Sequence, residues 1–128
     1  MNVILHESHC IFPVPEIRKT ADYYSRVLGF RAVEYLEAES PHICLYRDGV
    51  EIILTVSATP AIYPNHVLYG YGYDAYIITD NQSELQAELL SKGAKIVRTL
   101  QITDYHNSEF VLEDIDGRWL GFGIKTEK

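Results

Sequence analysis

The chain has 128 residues, 47% of them hydrophobic, enough for one ordinary domain to build a core without metal or disulfide staples. A net charge of -7, with eleven scattered Lys and Arg, argues against nucleic acid and anionic membrane surfaces as partners, because both reward clustered positive charge. No leader-like pattern opens the chain and no apolar run approaches the ~20 residues that cross a bilayer. Cys10 and Cys44 lie in apolar runs where a reduced thiol packs as a small hydrophobe, so a soluble, cytoplasmic protein is expected.

In chain order, "VILHESHCIFPV" at 3 to 14 reads as a buried strand with polar interruptions. A helix follows in "PEIRKTADYYSRVLGF". Ile17, Ala21, Tyr24 and Leu28 recur on one face, Pro15 stands at the mouth and Gly29 at the stop. Strands are expected at about 30 to 38, 41 to 47 and 50 to 57, the last two joined by the hairpin pair Asp48-Gly49. After the proline-bearing link "SATPAIYPNHVLYG" the order repeats. A strand at 71 to 79 leads to a helix at about 82 to 92, with Asn81 and Glu84 spaced as a capping box and Gly93 as the stop. Strands at about 94 to 101, 108 to 113 and 118 to 125 close the chain, the last two flanking Asp116-Gly117. This is an α+β fold of two βαβββ modules, about 3 to 58 and 70 to 125, in one domain spanning 1 to 128.

Two segments carry a family resemblance. "HCIFPVPEIRKTADYYSRVLGF" resembles the opening signature, and "FVLEDIDGRWLGFG" the closing signature, of the vicinal oxygen chelate superfamily, which includes glyoxalase I, extradiol dioxygenases, and fosfomycin- and bleomycin-resistance proteins. Glu16 stands where the family usually has Asp. The resemblance implies curved, mostly antiparallel sheets related by a pseudo-twofold and enclosing a cleft.

It also implies four metal-ligand positions, one on the first and one on the last strand of each module. Counting from Val14 gives His9, and the equivalent position of the second module is Asp74. Counting from Gly49 and Gly117 gives Ile53 and Gly121. Isoleucine and glycine cannot donate, so two donors remain where a catalytic divalent ion takes three or four. The expectation is therefore no metal cofactor. The alternative is a divalent metal held by His9, Glu51 and Asp74, with Glu51 reaching inward through a two-residue register change.

Alternation along a strand places Asp74, Tyr76 and Ile78 on one side and Ala75 and Ile77 on the other. The expected ligand-binding residues are thus His9, Asp74, Tyr76, Ile53 and Gly121, lining a cleft in which tyrosine stacks on a planar, cationic compound. Tyr69, Tyr71 and Tyr73 read as half-buried strand residues. By resemblance to the bleomycin-resistance type, the function implied is metal-free binding or sequestration of a small molecule by a homodimer. The alternative is a metal-dependent lyase or isomerase of glyoxalase type.

Overall fold

The computed structural model describes residues 2–126. Its first half runs β1 (Cys10–Val14), α1 (Ile17–Arg26), β2 (Arg31–Tyr35), β3 (His42–Arg47) and β4 (Val50–Val56). A short helix, α2 (Asn65–Tyr69), leads into β5 (Ala75–Ile78), α3 (Gln82–Ser91), β6 (Lys95–Ile102), β7 (Asn107–Glu113) and β8 (Trp119–Lys125). The two sheets have the orders β1-β4-β3-β2 and β5-β8-β7-β6. In each, the first and last strands of the module pair in parallel and the rest are antiparallel. The βαβββ repeat is therefore present in both halves.

Local chemistry explains the repeat. Gly29 and Gly93 end their helices at φ of +77° and +92°, a conformation in which a Cβ would clash with the following carbonyl. Asp48 turns the first hairpin at φ +50°, and Gly117 turns the second at +88°. The helices bury one face each: Ala21 and Tyr24 from α1, extended by Leu28 in the turn after it, and Leu89 from α3. These pack on Phe12, Val14, Ile43, Leu45, Ile52 and Leu54 of one sheet and on Phe110, Leu112, Leu120 and Phe122 of the other.

Polar contacts join the modules. Tyr24 Oη donates to Asp114 Oδ2 (2.5 Å) from the β7–β8 turn, and Arg118 donates to Pro13 O (2.8 Å) while lying 4.6 Å from the Phe12 ring centroid. Burial raises the Asp114 pKa against the lowering effect of its hydrogen bonds from Tyr24 and from the backbone of Arg118 and Asp116. At the other end Arg47 forms a bidentate pair with Glu88 of α3 (both 3.0 Å) and also donates to Leu28 O.

Four expectations change. Residues 2 to 9 form no strand, and Val3, Ile4 and Leu5 are exposed. The second-module strand starts at Ala75 and not at 71, because the chain first makes α2 and turns through Gly70 and Gly72, both at positive φ. Tyr69 and Tyr71 are consequently exposed outside any strand. Asn81 is the N-cap of α3, but its side chain makes no capping bond. Among the described residues, no helix is long and apolar enough to cross a membrane.

Candidate functional site

At the seam between the modules lies a cavity of about 730 Å3. Its walls are the residues entering β1, the β3–β4 turn, the end of β5 and one face of α3. Leu28, Phe30, Ile77, Leu85, Leu89 and Phe122 make an apolar floor. Asp48, Glu51, Glu84 and Glu88 bring four carboxylates to its polar part, against the single guanidinium of Arg47. Since Arg47 is spent on Glu88, the remainder is acidic. That hydrogen bond, opposed by burial, holds the Glu88 carboxyl below its ordinary range.

His9 and Tyr76 both line this cavity, as does Glu51. Glu51 reaches His9 without any register change: it pairs with Tyr46 on β3, and its Oε1 lies 3.1 Å from His9 Nδ1. The other imidazole nitrogen lies 3.1 Å from Glu7.

Asp74 does not join them. It precedes β5, where its backbone N–H donates to Trp119 O, and its Oδ1 accepts from the Asn65 backbone N–H (3.2 Å), while Oδ2 is buried without a partner. Alternation cannot place a residue that the strand does not include. Ile53 sits between Ile11 and Cys44 in the first sheet, away from the cavity walls. Gly121 lies directly opposite Tyr76 on β8.

The face of the second sheet opposite the helices carries a group that sequence reasoning missed. Glu109, only 1% exposed, accepts hydrogen bonds from Tyr73 (2.5 Å), Tyr105 (2.7 Å) and Tyr76 (2.8 Å). Three phenols satisfy a carboxylate that would otherwise be costly to bury. Asn107 Nδ2 also donates to the Tyr76 hydroxyl (2.8 Å). Burial first, and the Glu109 hydrogen bond second, push the Tyr76 pKa up to about 12, so its hydroxyl stays a donor at neutral pH. The rings of Tyr73 and Tyr76 stack 5.9 Å apart and lie against the β8 backbone: a Cβ on Gly121 would come within 2.8 Å of the Tyr76 ring and 3.2 Å of Tyr73. The available signal was Gly121-x-Gly123 on β8 facing tyrosine on β5, since small residues two apart in a strand mark a close approach on one face.

The four positions implied by the resemblance therefore do not fit a metal. Two have no donor, and Asp74 is tied to Asn65. Glu7, His9 and Glu51 are instead the donor set that would hold a divalent ion, with ligand atoms within 4.8 Å of one another.

Two four-stranded mixed sheets with βαβββ order and an inter-module cavity define a class of paired-module α+β proteins. Residues 8–122 match the family model of the Glyoxalase/Bleomycin resistance protein/Dioxygenase superfamily, and the chain belongs to that superfamily. No curated protein matches the sequence. Among solved structures, a member of this superfamily from Sphaerobacter thermophilus is similar at TM-score 0.72 and 17% identity, covering 94% of this chain and 97% of that one. TnmS3, an antibiotic-binding protein from Streptomyces sp., matches at TM-score 0.71 and 17% identity over 98% and 100% of the two chains. FosX, a fosfomycin resistance protein from Listeria monocytogenes, matches at 0.71 and 12% identity over 97% and 94%. At these identities the likeness concerns the fold.

Proposed function

We propose that this chain is a metal-free small-molecule-binding protein that takes a planar, cationic compound into the seam cavity and sequesters it. The observation carrying this reading is the pairing of an apolar floor with four carboxylates against one guanidinium: Arg47 pairs with Glu88 and reaches Asp48 at 3.9 Å, which leaves Glu51 and Glu84 as the acidic remainder. A carboxylate in a partly dry concavity attracts a cation more strongly than one on open surface. Glu51 and His9 supply the polar contacts in this reading, and Tyr76 supplies a ring edge or face to the ligand. TnmS3, similar in fold, is an antibiotic-binding protein, which agrees with small-molecule binding.

The test is titration calorimetry with 2-naphthamidine and its neutral analogue 2-naphthamide. Glu51→Gln is expected to weaken the amidine by roughly 1–3 kcal/mol, the scale of a charged hydrogen bond, and to leave the amide unchanged. Tyr76→Leu weakens both. Equal binding of the two compounds by the wild type would refute the reading.

A second reading, a metal-dependent lyase or isomerase, is favoured by the Glu7–His9–Glu51 cluster. A bound divalent ion would supply Lewis-acid polarisation of a substrate oxygen; His9 and the two carboxylates would hold it. Zinc separates the two readings: a saturable stabilisation near 2.7 kcal/mol at a hundredfold excess over Kd, lost in His9→Ala, supports the enzyme and counts against metal-free binding.

The same proposal includes a homodimer. Ile11, Tyr35 and Val56 are exposed at the first sheet, and β2 and β6 are unpaired edges. Light scattering at tens of micromolar should give twice the 14.6 kDa chain mass, and a monomer mass would remove this part.

A further inference from the structure

Outside the acidic seam cavity a cation lies among aromatic rings. Arg98, on β6, is half-buried on the face that carries the Glu109 tyrosine group. Its Nη1 donates to the Tyr73 hydroxyl (3.2 Å), and its guanidinium carbon lies 5.8 Å from the Tyr73 ring centroid and 5.9 Å from that of Trp119. Among the described residues no carboxylate lies within 4.0 Å of it.

Both nearby acids are otherwise engaged. Glu109 is closed off by its three phenols. Glu113 accepts from Trp119 Nε1 (3.0 Å) and from Lys95 (3.1 Å), bonds that outweigh burial and lower its pKa. The remaining guanidinium N–H groups are therefore left to solvent or to a ligand. A planar fork with adjacent free donors matches a carboxylate in two-point contact, a geometry an ammonium cannot supply.

The surroundings are flat and aromatic. His66 stacks on Trp119 at 3.9 Å and 8°, fixed by its own Nε2–H donating to Gly117 O (2.8 Å), and Tyr73 stacks on Tyr76. Arg98 sits between these two pairs, so a ring attached to a bound carboxylate would meet ring edges and faces and not open water.

We propose that Arg98 anchors a second binding site, for a planar aromatic carboxylate, on the face of the second sheet opposite the helices. It is opposite in charge preference to the seam cavity, and its test separates the two. The probes are 2-naphthoate, 2-naphthamide and 2-naphthamidine, which share one ring system and carry charges of opposite sign or none. Wild-type protein should bind 2-naphthoate at least tenfold more tightly than 2-naphthamide. Arg98→Gln should abolish that preference while leaving 2-naphthamidine affinity unchanged. Arg98→Lys keeps a charge and loses the fork, and should weaken 2-naphthoate several-fold; it carries the test should Arg98→Gln fail to melt cooperatively. Wild-type affinity for 2-naphthoate no better than for 2-naphthamide, or 2-naphthoate binding undiminished in these variants, overturns the proposal whatever the amidine does.

Discussion

Gly121→Ala tests whether the tyrosine group is a rigid part of the molecule. In a strand, replacing glycine by alanine ordinarily stabilises by about 0.4–1 kcal/mol, because the unfolded chain loses freedom. Here the added Cβ would lie 2.8 and 3.1 Å from two carbons of the Tyr76 ring and 3.2 Å from Tyr73, against roughly 3.5–4.0 Å for relaxed carbon contacts. Tyr76 cannot simply step aside, because its hydroxyl is held by Glu109 and Asn107 at 2.8 Å each. Keeping the ring costs about 1–3 kcal/mol of overpacking, and swinging it out forfeits a charged hydrogen bond of similar size. After the glycine term is subtracted, the net loss is about 1–2 kcal/mol, or roughly 4–8 °C in Tm for a chain of this size. Urea denaturation of Gly121→Ala, Tyr76→Leu and the double variant measures it. In the Tyr76→Leu background the alanine should be neutral or stabilising. An alanine that costs nothing in the wild type, or the same in both backgrounds, would refute the packing argument.

One further expectation concerns pH and the Arg47–Glu88 pair. The Glu88 pKa is lowered in the folded protein, chiefly by the Arg47 hydrogen bond. Its stabilisation is therefore complete above the ordinary value of 4.5 and is lost as pH falls through the lowered folded value. Both side chains are about one-third exposed, so solvent screening limits the pair to about 0.5–1 kcal/mol. The stability gap between wild type and Glu88→Gln should thus close as pH falls below 4.5 and through the lowered folded value, and a gap that stays constant until the protein acid-unfolds would show that Glu88 acts by packing alone.

The repeat was legible because it is written in local signals. Gly29 and Gly93 need positive φ whatever surrounds them, and Asp48-Gly49 and Asp116-Gly117 each specify a tight turn. The apolar face of Ala21, Tyr24 and Leu28 likewise follows from spacing, and all three residues are buried, although the helix ends at Arg26 and Leu28 lies in the turn after it. What failed depended on where a strand begins. "YGYGYD" alternates as a strand would, yet Gly70 and Gly72 take φ of +83° and +101° and keep the chain out of the sheet until Ala75. Tyr76 and Ile77 lie within the strand, opposite Gly121 and Phe122, while Asp74 lies one residue outside it. The seam cavity was unreadable for a different reason: it joins the approach to β1 with α3, about 70 residues apart, and no periodicity encodes how two modules meet.

Glu109 shows how the vacated ligand position and the tyrosine group are one structural fact. The resemblance puts a last-strand metal ligand at residue 121, and the chain has glycine there. The space a donor side chain would need is taken by the rings of Tyr76 and Tyr73. Those rings are drawn down onto the sheet by a carboxylate two places along the partner strand's register, since Glu109 pairs with Gly123 while Tyr76 pairs with Gly121. At Gly123 too, a Cβ would fall 2.5 Å from the Tyr76 hydroxyl and 2.6 Å from the Glu109 Cβ. Both glycines are thus required by Tyr76, with Tyr73 crowding the first and the Glu109 side chain and the Ser108 carbonyl crowding the second. Returning a carboxylate to position 121 would not rebuild a metal site, because it would meet an aromatic ring pinned to a buried acid. The three phenol hydroxyls on this face of the sheet already point into Glu109, which leaves the ring faces and the Arg98 guanidinium beside them.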